Sequence, residues 1–461
     1  MTNRTYILGG VVVVVAVILG TLSPFLALAF IIFTGFLVLA VKNAPAAVLL
    51  VYATKPIIDA AWDVRIPGIG LNFLQIVSAA FPILALIIMR FNRPQVPLHP
   101  VLTSWKILVG WNLFAVIVIA VTNMQSGLAL PDGYIVRNAA VFFQFLNSYI
   151  AFALVPYLFA TEELRKRFIL VVMFAGLFPL ITAFLQLGGI IQGRLLRTTG
   201  DLIRISALYH DSTNLRIYSF QTILAILTYL GAYWSASLSR AHWKAFFALI
   251  QIPFLLVVIY RGYSKAAIAI ILAWGALLLF MSRQRVFVSL LFGTVLFFVV
   301  TTDNRIIDEI ESLFRKEIWY AEGQLHENLQ YTLLGGRFVY WGSALDNFVD
   351  QELAVQLVGI DYVRAASLHN DFLRTLMATG AIGLILYVFL LLQMMWHVVL
   401  RTVNRSSKLA LPALLALTAF IIDSLGLVPL LYPGYSWVTF GIISMTLHPT
   451  LIETTPKRSA V

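Results

Sequence analysis

The chain has 461 residues, 60% of them hydrophobic and only 11% charged, against roughly 25% charged in an ordinary soluble domain. That excludes a soluble enzyme, a disordered chain and a collagen-like repeat, and at roughly 20 apolar residues per membrane-spanning helix it sets a ceiling of about 14 spans. The absence of cysteine removes disulfides, thiolate nucleophiles and thiolate-held metals, and the net charge of +11 is accounted for by the basic bias of cytoplasmic loops, so nucleic acid is not an expected partner.

In chain order, hydropathy predicts apolar runs over 6–22, 24–41, 44–54, 69–89, 103–121, 138–160, 168–193, 217–238, 245–260, 265–281, 286–301, 372–400, 409–427 and 434–448. The expected fold class is therefore an all-α polytopic membrane protein with about 12–14 transmembrane helices. The first run lacks an A-x-A cleavage site and is followed at once by another apolar run at Pro24, so it reads as a retained span. The expected organisation is 1–193, N-terminal transmembrane helices; 194–301, transmembrane helices with arginine-containing outer loops; 302–371, a large periplasmic loop; and 372–461, C-terminal transmembrane helices.

Alternating the runs from a cytoplasmic N-terminus gives the inside connections Arg4, Lys42, Arg90, Arg93, Arg165, Lys166, Arg167, Arg240, Lys244, Arg283, Arg285, Arg401, Arg405, Lys408, Lys457 and Arg458. The acids there are Glu162, Glu163 and Glu453 alone. Short basic connections are where the positive-inside rule applies best, and both termini are expected in the cytoplasm. The outer side then carries the loops 194–216 and 302–371 and the turn Arg261–Lys265. In the larger loop, Asp303–Tyr320 has the spacing of an amphipathic helix, with Ile306, Ile310, Leu313 and Phe314 on one stripe and Asp308, Glu309, Glu311 and Arg315 opposite. Arg337–Phe348 is again helical in spacing, with Phe338, Trp341, Leu345 and Phe348 on one side.

Arginines recur on this outer face, against the positive-inside rule. One loop holds Arg194, Arg197, Arg204 and Arg216 around Ser206, His210, Asp211 and Asn214. The turn is Tyr260-Arg261-Gly262-Tyr263-Ser264-Lys265, and beyond it come Gly335-Gly336-Arg337 with Trp341, then Ser367-Leu-His369-Asn370-Asp371-Phe-Leu-Arg374. A single such arginine is as well explained by snorkelling to headgroups. Several in separate loops point to an anion, because a guanidinium grips phosphate oxygens bidentately and keeps its proton. The anion most available at an outer membrane face is the diphosphate of a lipid carrier. His369 suits proton transfer near neutral pH, although Asn370 or Asp371 also fits a simple helix cap. His210 and His326 are competitors. The loop aromatics fit interfacial anchoring as well as stacking on sugar rings. Asp423, alone in an apolar span, fits a proton relay, a helix–helix contact or an outer-edge position. No HExxH, DxD or GxxxxGK[ST] pattern occurs, which leaves a metal-dependent nucleotide-sugar transferase and ATP hydrolysis without support.

Taken in order, Arg204 with Asn214, Arg261-Gly262, Gly336-Arg337-x-x-x-Trp341, Gly359, His369-Asn370 and Gly380-Ala-Ile-Gly383 resemble the motifs of the O-antigen ligases and Wzy-type polysaccharide polymerases, over roughly residues 200–400. The sequence departs from the family pattern at Tyr260, where serine is usual, at Ala378, where an acid is frequent, and at Asp361, where a second glycine is expected. The resemblance implies a GT-C-like helical membrane fold in the bacterial inner membrane. It also implies a metal-independent, inverting glycosyltransferase with a periplasmic site and no cofactor. The donor would be an undecaprenyl-diphosphate-linked glycan, the acceptor lipid A-core or a second lipid-linked glycan, and polysaccharide export or chain-length regulator proteins would be possible partners. Carried onto this chain, His369 acts on the acceptor hydroxyl, Arg204, Arg261 and Arg337 bind the diphosphate or adjoining sugar, and Asn214, Trp341 and Asn370 support them. The alternatives are a membrane transporter of a lipid-linked sugar or anion, whose polar groups would form a path through the bilayer, and a non-catalytic scaffold.

Overall fold

The computed structural model describes residues 34–62, 64, 73–92, 99–125, 134–193, 197–199, 202–233, 242–281, 304–323, 336–362, 365 and 368–448. The runs expected over 6–22 and 286–301, most of 24–41, and Arg194, His326, Gly335 and Ser367 lie outside them. The described part is mostly helical: α1 (Ala44–Ala60), α2 (Phe73–Asn92), α3 (Pro100–Gln125), α4 (Tyr134–Leu158), α5 (Glu162–Ala175), α6 (Leu177–Leu187), α7 (Ser212–Thr228), α8 (His242–Arg261), α9 (Lys265–Met281), α10 (Asn304–Ala321), α11 (Arg337–Val349), α12 (Leu353–Val358), α13 (Asp371–Val403), α14 (Ala410–Ser424) and α15 (Pro433–Leu447). A two-stranded antiparallel ribbon, β1 (Arg197–Thr199) and β2 (Leu202–Arg204), precedes α7 and is an addition to the all-helical expectation.

Among the described residues, five segments are long and apolar enough to cross a membrane: Pro100–Gln125, Tyr134–Leu158, Glu162–Leu187, Ser212–Tyr233 and Asp371–Val403. The protein is thus a helical, membrane-embedded chain. The run expected over 168–193 is divided at Gly176, where an added Cβ would lie 1.8 Å from Thr222 Oγ1, so the backbone passes α7 too closely for any side chain. Apart from Gly434, every residue of α15 is buried, as befits a helix that is apolar all round at the centre of a bundle. Its Trp437 packs on Phe81 at 4.2 Å between ring centroids and accepts the Tyr52 hydroxyl on its carbonyl at 2.9 Å, while Phe440 meets Trp105 edge-on at 5.1 Å. At the periphery, Ile107, Phe114 and Ile117 of α3 and Ile385, Phe389 and Leu392 of α13 stay exposed, the apolar surface that lipid covers.

One feature of α13 positions the site. Gly380 has φ +73 and ψ −177, a conformation open to glycine, and it breaks the helix into two segments. The Tyr387 hydroxyl comes within 3.5 Å of Asp371 Oδ2, although sixteen residues of straight helix would separate them by about 24 Å. The segment before Gly380 therefore folds back beside the segment after it. Helix α12 crosses the break in backbone contact: Ile360 N donates to Met377 O at 2.7 Å, and a Cβ on Gly380 would lie 2.1 Å from Leu357 O.

The amphipathic helix expected over Asp303–Tyr320 is α10, but its inward stripe differs. Leu313 is buried, whereas Glu309 and Glu317, four residues to either side, turn towards the Arg261–Lys265 turn. Glu309 thus belongs to the inner face and not to the solvated one, because partners for its charge lie there. Along α11, Phe338 and Leu345 are exposed and Phe348 is buried, so the expected apolar side is only partly covered.

Candidate functional site

Helix α7 starts at Asp211, whose Oδ1 caps it by accepting from Thr213 N at 2.8 Å and Asn214 N at 3.3 Å. This fixes Arg216 one turn inside. Arg216 is buried; its Nη2 donates to Asp423 Oδ1 at 2.5 Å and its Nη1 to Ser264 Oγ at 2.5 Å. The start of α7, the turn between α8 and α9 and the end of α14 are thereby joined at one end of the bundle. Asp423, left open between three roles, is a helix–helix contact.

Arg204 ends β2, and the next residue, Ile205, donates its N–H to Arg261 O at 3.2 Å, which sets the ribbon against the same turn. Arg261 Nη1 donates to the Tyr263 hydroxyl at 3.1 Å. That hydroxyl donates in turn to Glu309 Oε2 at 3.0 Å, and Tyr260 also donates to Glu309. Lys265 pairs with Glu317 at 2.5 Å and lies over the Phe314 ring. Helix α10 is in this way fastened over the arginine turn by two carboxylates.

The folded-back half of α13 brings in the remaining groups. Asn370 Oδ1 caps its first turn, accepting from Phe372 N at 2.9 Å and Leu373 N at 3.0 Å, while its Nδ2 donates to Leu425 O at 3.1 Å. Asp371 Oδ2 accepts from Ser424 Oγ and Leu430 N, both at 3.1 Å. His369, immediately before this cap, is exposed. Arg337, the first residue of α11, lies against the same loop: a Cβ added to Gly426 would stand 3.2 Å from its Nη1. Burial first, and then the Arg216 charge, hold the Arg337 pKa below the usual arginine range, while the nearby Tyr432 acts the other way. A guanidinium still keeps its proton. Tyr432, the residue before α15, is pushed up to about 12 by burial and by Asp211, so it is a hydrogen-bond donor at neutral pH.

Of the residues singled out in the sequence, Arg204 and Arg261 come together at the α8–α9 turn, and Asn370 and Arg337 come together around Leu425-Gly426, with His369 the exposed residue before Asn370. Arg216 bridges the two groups through Ser264 and Asp423. Asn214 sits in the first turn of α7. Trp341 packs on a small apolar cluster that includes Phe348, Tyr362, Leu368 and Met377, beneath the His369 segment, and so supports the site by packing. Asp361, where the family pattern has glycine, has φ +133, and its Oδ2 accepts the Tyr134 hydroxyl at 2.9 Å. Ala378, where an acid is frequent, is fully buried against Gly359, whose added Cβ would lie 2.5 Å from the Ala378 carbonyl carbon.

Three participants were not singled out as site residues: Arg216 as the partner of Asp423, Arg374 and Tyr432. The first had a signal, since opposite charges near the ends of two apolar spans are each costly alone and answer one another when paired. Tyr432 had none. No protein-family model matches the chain, and no curated protein matches it either.

Proposed function

We propose that this protein is a glycosyltransferase of the bacterial inner membrane that transfers or polymerises an undecaprenyl-diphosphate-linked glycan on the periplasmic face, as an O-antigen ligase or an O-antigen or exopolysaccharide polymerase. The observation that carries the reading is the gathering, at one end of the bundle, of Arg204 and Arg261 at the α8–α9 turn and of Arg337 and Asn370 at Leu425-Gly426, the two groups joined through Arg216. A transporter would string polar groups along the bilayer. Instead Asn112 and Asn147, deep in α3 and α4, accept from Tyr362 and Trp437, contacts within the protein.

The chemistry is a displacement at the anomeric carbon. His369 takes the proton of the acceptor hydroxyl as its oxygen bonds to that carbon from the face opposite the diphosphate, so the configuration inverts. The bond from carbon to phosphate oxygen breaks, and the diphosphate leaves with the electron pair. Arg204, Arg261 and Arg337 grip the diphosphate or the adjoining sugar. Fixed cations aimed at developing charge are usually the largest single contribution to such a rate.

The test is reconstitution of purified protein in detergent with carrier-linked glycan, given either lipid A-core or more of the same carrier substrate. A product that grows on one acceptor identifies the acceptor class, and no transfer to either rejects the assignment. His369→Ala is expected to abolish transfer while the protein still accumulates in the membrane; undiminished transfer would remove His369 from the mechanism.

A further inference from the structure

Helix α11 carries two apolar faces side by side. Trp341 and Phe348 pack inwards with Leu368 and Met377. Phe338, Leu345 and Val349, at i, i+7 and i+11, form the adjoining stripe, and all three are exposed. Ser343, Asp346, Asn347 and Asp350 are exposed on the far side. The stripe does not end with the helix. Gln356 Nε2 donates to Val349 O at 2.7 Å and to Gln351 O at 2.8 Å, which binds α12 to the end of α11, and α12 adds the exposed Leu353 and Leu357 one turn apart. Val349 and Leu353 are 67% and 70% exposed, as open as Ile385 at 66% on the lipid-covered surface of α13. A continuous apolar surface rimmed by polar residues marks either a membrane or a protein partner.

The depth of α12 decides between the two. On α13 the exposed positions run from Ile385 through Phe389, Leu392, Trp396 and Leu400 to Val403 at helical spacing. At 1.5 Å per residue this stripe is about 27 Å long, close to the hydrocarbon core of about 30 Å. Gly380 stands about 7.5 Å beyond Ile385 along the axis, in the headgroup layer. The α12 backbone touches it there, with Leu357 O 2.1 Å from the place of an added Cβ. We propose that α11 and α12 form an interfacial anchor, lying in the headgroup layer at the His369 end with Phe338, Leu345, Val349, Leu353 and Leu357 dipped towards the acyl chains. The anchor does not depend on the glycosyl-transfer reading. The exposed polar side carries Asp346, Asp350 and Glu352, so the anchor holds by apolar insertion and not by attraction to anionic lipid. Through Trp341 and Phe348 it bears on Leu368, next to His369, and the bilayer thereby sets the height of that segment.

The chain lacks cysteine, so single-cysteine variants take a nitroxide label with no other substitution. The full chain is placed in phosphatidylcholine nanodiscs, and the label's collisions are measured with oxygen, which concentrates among acyl chains, and with a water-soluble nickel chelate. At Phe338→Cys, Val349→Cys and Leu353→Cys the oxygen-to-nickel ratio should match that at Ile385→Cys and exceed that at Asp346→Cys several-fold. Phe338 is about 16 Å from Val349 along the axis, so agreement between them requires α11 to lie flat. Nickel access at these positions equal to that at Asp346→Cys would put the stripe in water and overturn the anchor. Protection from both reagents would also overturn it, since a second copy or another protein segment would then cover the stripe. As a second measurement, adding Val349→Asp and Leu353→Asp to the labelled Phe338→Cys chain should lower its ratio several-fold; an unchanged ratio would mean that these side chains hold nothing in the bilayer. Exchanging phosphatidylcholine for phosphatidylglycerol should leave every ratio as it was, and a ratio that rose only with the anionic lipid would overturn apolar insertion as the cause.

Discussion

The two ends of the helical bundle use the same residue in opposite ways. At the end away from His369, Arg165 Nε donates to Phe159 O and its Nη2 to His448 O, and Arg401 Nη2 donates to Leu447 O, all at 3.0 Å. These carbonyls follow or close helices α4 and α15, where unsatisfied acceptors and the negative end of the helix dipole make a guanidinium useful to the fold itself. At the His369 end, Arg216 is answered by Asp423, while among the described residues Arg337 and Arg374 have no side-chain hydrogen-bond acceptor or ion-pair partner, Asp371 acting on Arg374 only from a distance. Arginine number alone therefore says little about function. What separates a structural cation from a ligand-binding one is whether the protein supplies its acceptor.

The largest expected effect tests the buried ion pair at the His369 end, Arg216 with Asp423. Asp423→Asn leaves the Arg216 charge buried without its counter-ion, and should cost about 3–5 kcal/mol of stability. A fall in detergent melting temperature and in membrane yield would register it. The double variant Arg216→Met with Asp423→Leu should restore most of the stability, because apolar groups of similar volume replace a buried pair at little cost. A double variant as unstable as the single one would mean that the pair does more than hold α7 to α14.

Next comes the hinge that carries His369 to the arginines. Gly380→Ala meets two obstacles, a positive φ and a Cβ that would sit 2.1 Å from Leu357 O. Backbone strain of this kind costs of order 1–3 kcal/mol before the clash is added. Transfer should fall more steeply than stability, since the fold-back of α13 delivers His369. Gly383→Ala sharpens the contrast: its nearest obstacle is the Thr379 side chain, at 2.0 Å, which can give way more easily than backbone. Activity loss should be smaller there. Equal losses at both glycines would count against the hinge.

Arg165→Gln is the counterpart at the other end. It removes two charge-assisted hydrogen bonds to helix-end carbonyls and should lower stability by about 1.5–3 kcal/mol. Diphosphate binding, measured on the same preparation, should be unchanged. A variant that lost diphosphate binding would erase the distinction between the two ends.

The apolar runs made the helices legible: 265–281 matches α9, and 372–400 lies inside α13, because roughly 20 consecutive apolar residues have few alternatives to a buried helix. The gathering of Arg204, Arg261 and Arg337 at one end was legible too, because each defies the charge rule when the runs are alternated from a cytoplasmic N-terminus. The fold-back at Gly380 was not. The sequence shows two glycines three apart, and only the backbone of α12 pressed against the first reveals a sharp reversal within an apolar run. Helical spacing likewise placed Glu309 opposite the apolar stripe, since it carries no information about Tyr260 and Tyr263, distant in sequence, that draw the carboxylate inward. Nor does spacing separate Arg216 from Arg374, because the difference lies in acceptors contributed by α14 and the α8–α9 turn.

The smallest effect is absent at neutral pH and emerges on acidification. The Arg165–Arg401 end also gathers three imidazoles: His99 meets His397 at 4.8 Å and His448 at 5.8 Å between ring centroids. Burial holds His99 down to about 4, helped by His397, His448 and Arg401, and burial with Arg165 and Arg401 does the same to His448. In the unfolded chain both return to the ordinary value of about 6.5. Between those values the unfolded state binds protons that the folded state refuses, so stability rises with pH there. The contribution is complete above about pH 6.5 and is lost progressively as pH falls towards 4. Melting temperature should therefore decline over that window, and His99→Gln should flatten the decline while leaving diphosphate binding at pH 7 intact. An unchanged slope in that variant would take His99 out of the acid response and leave His448 as the titrating companion of the two guanidiniums at this end.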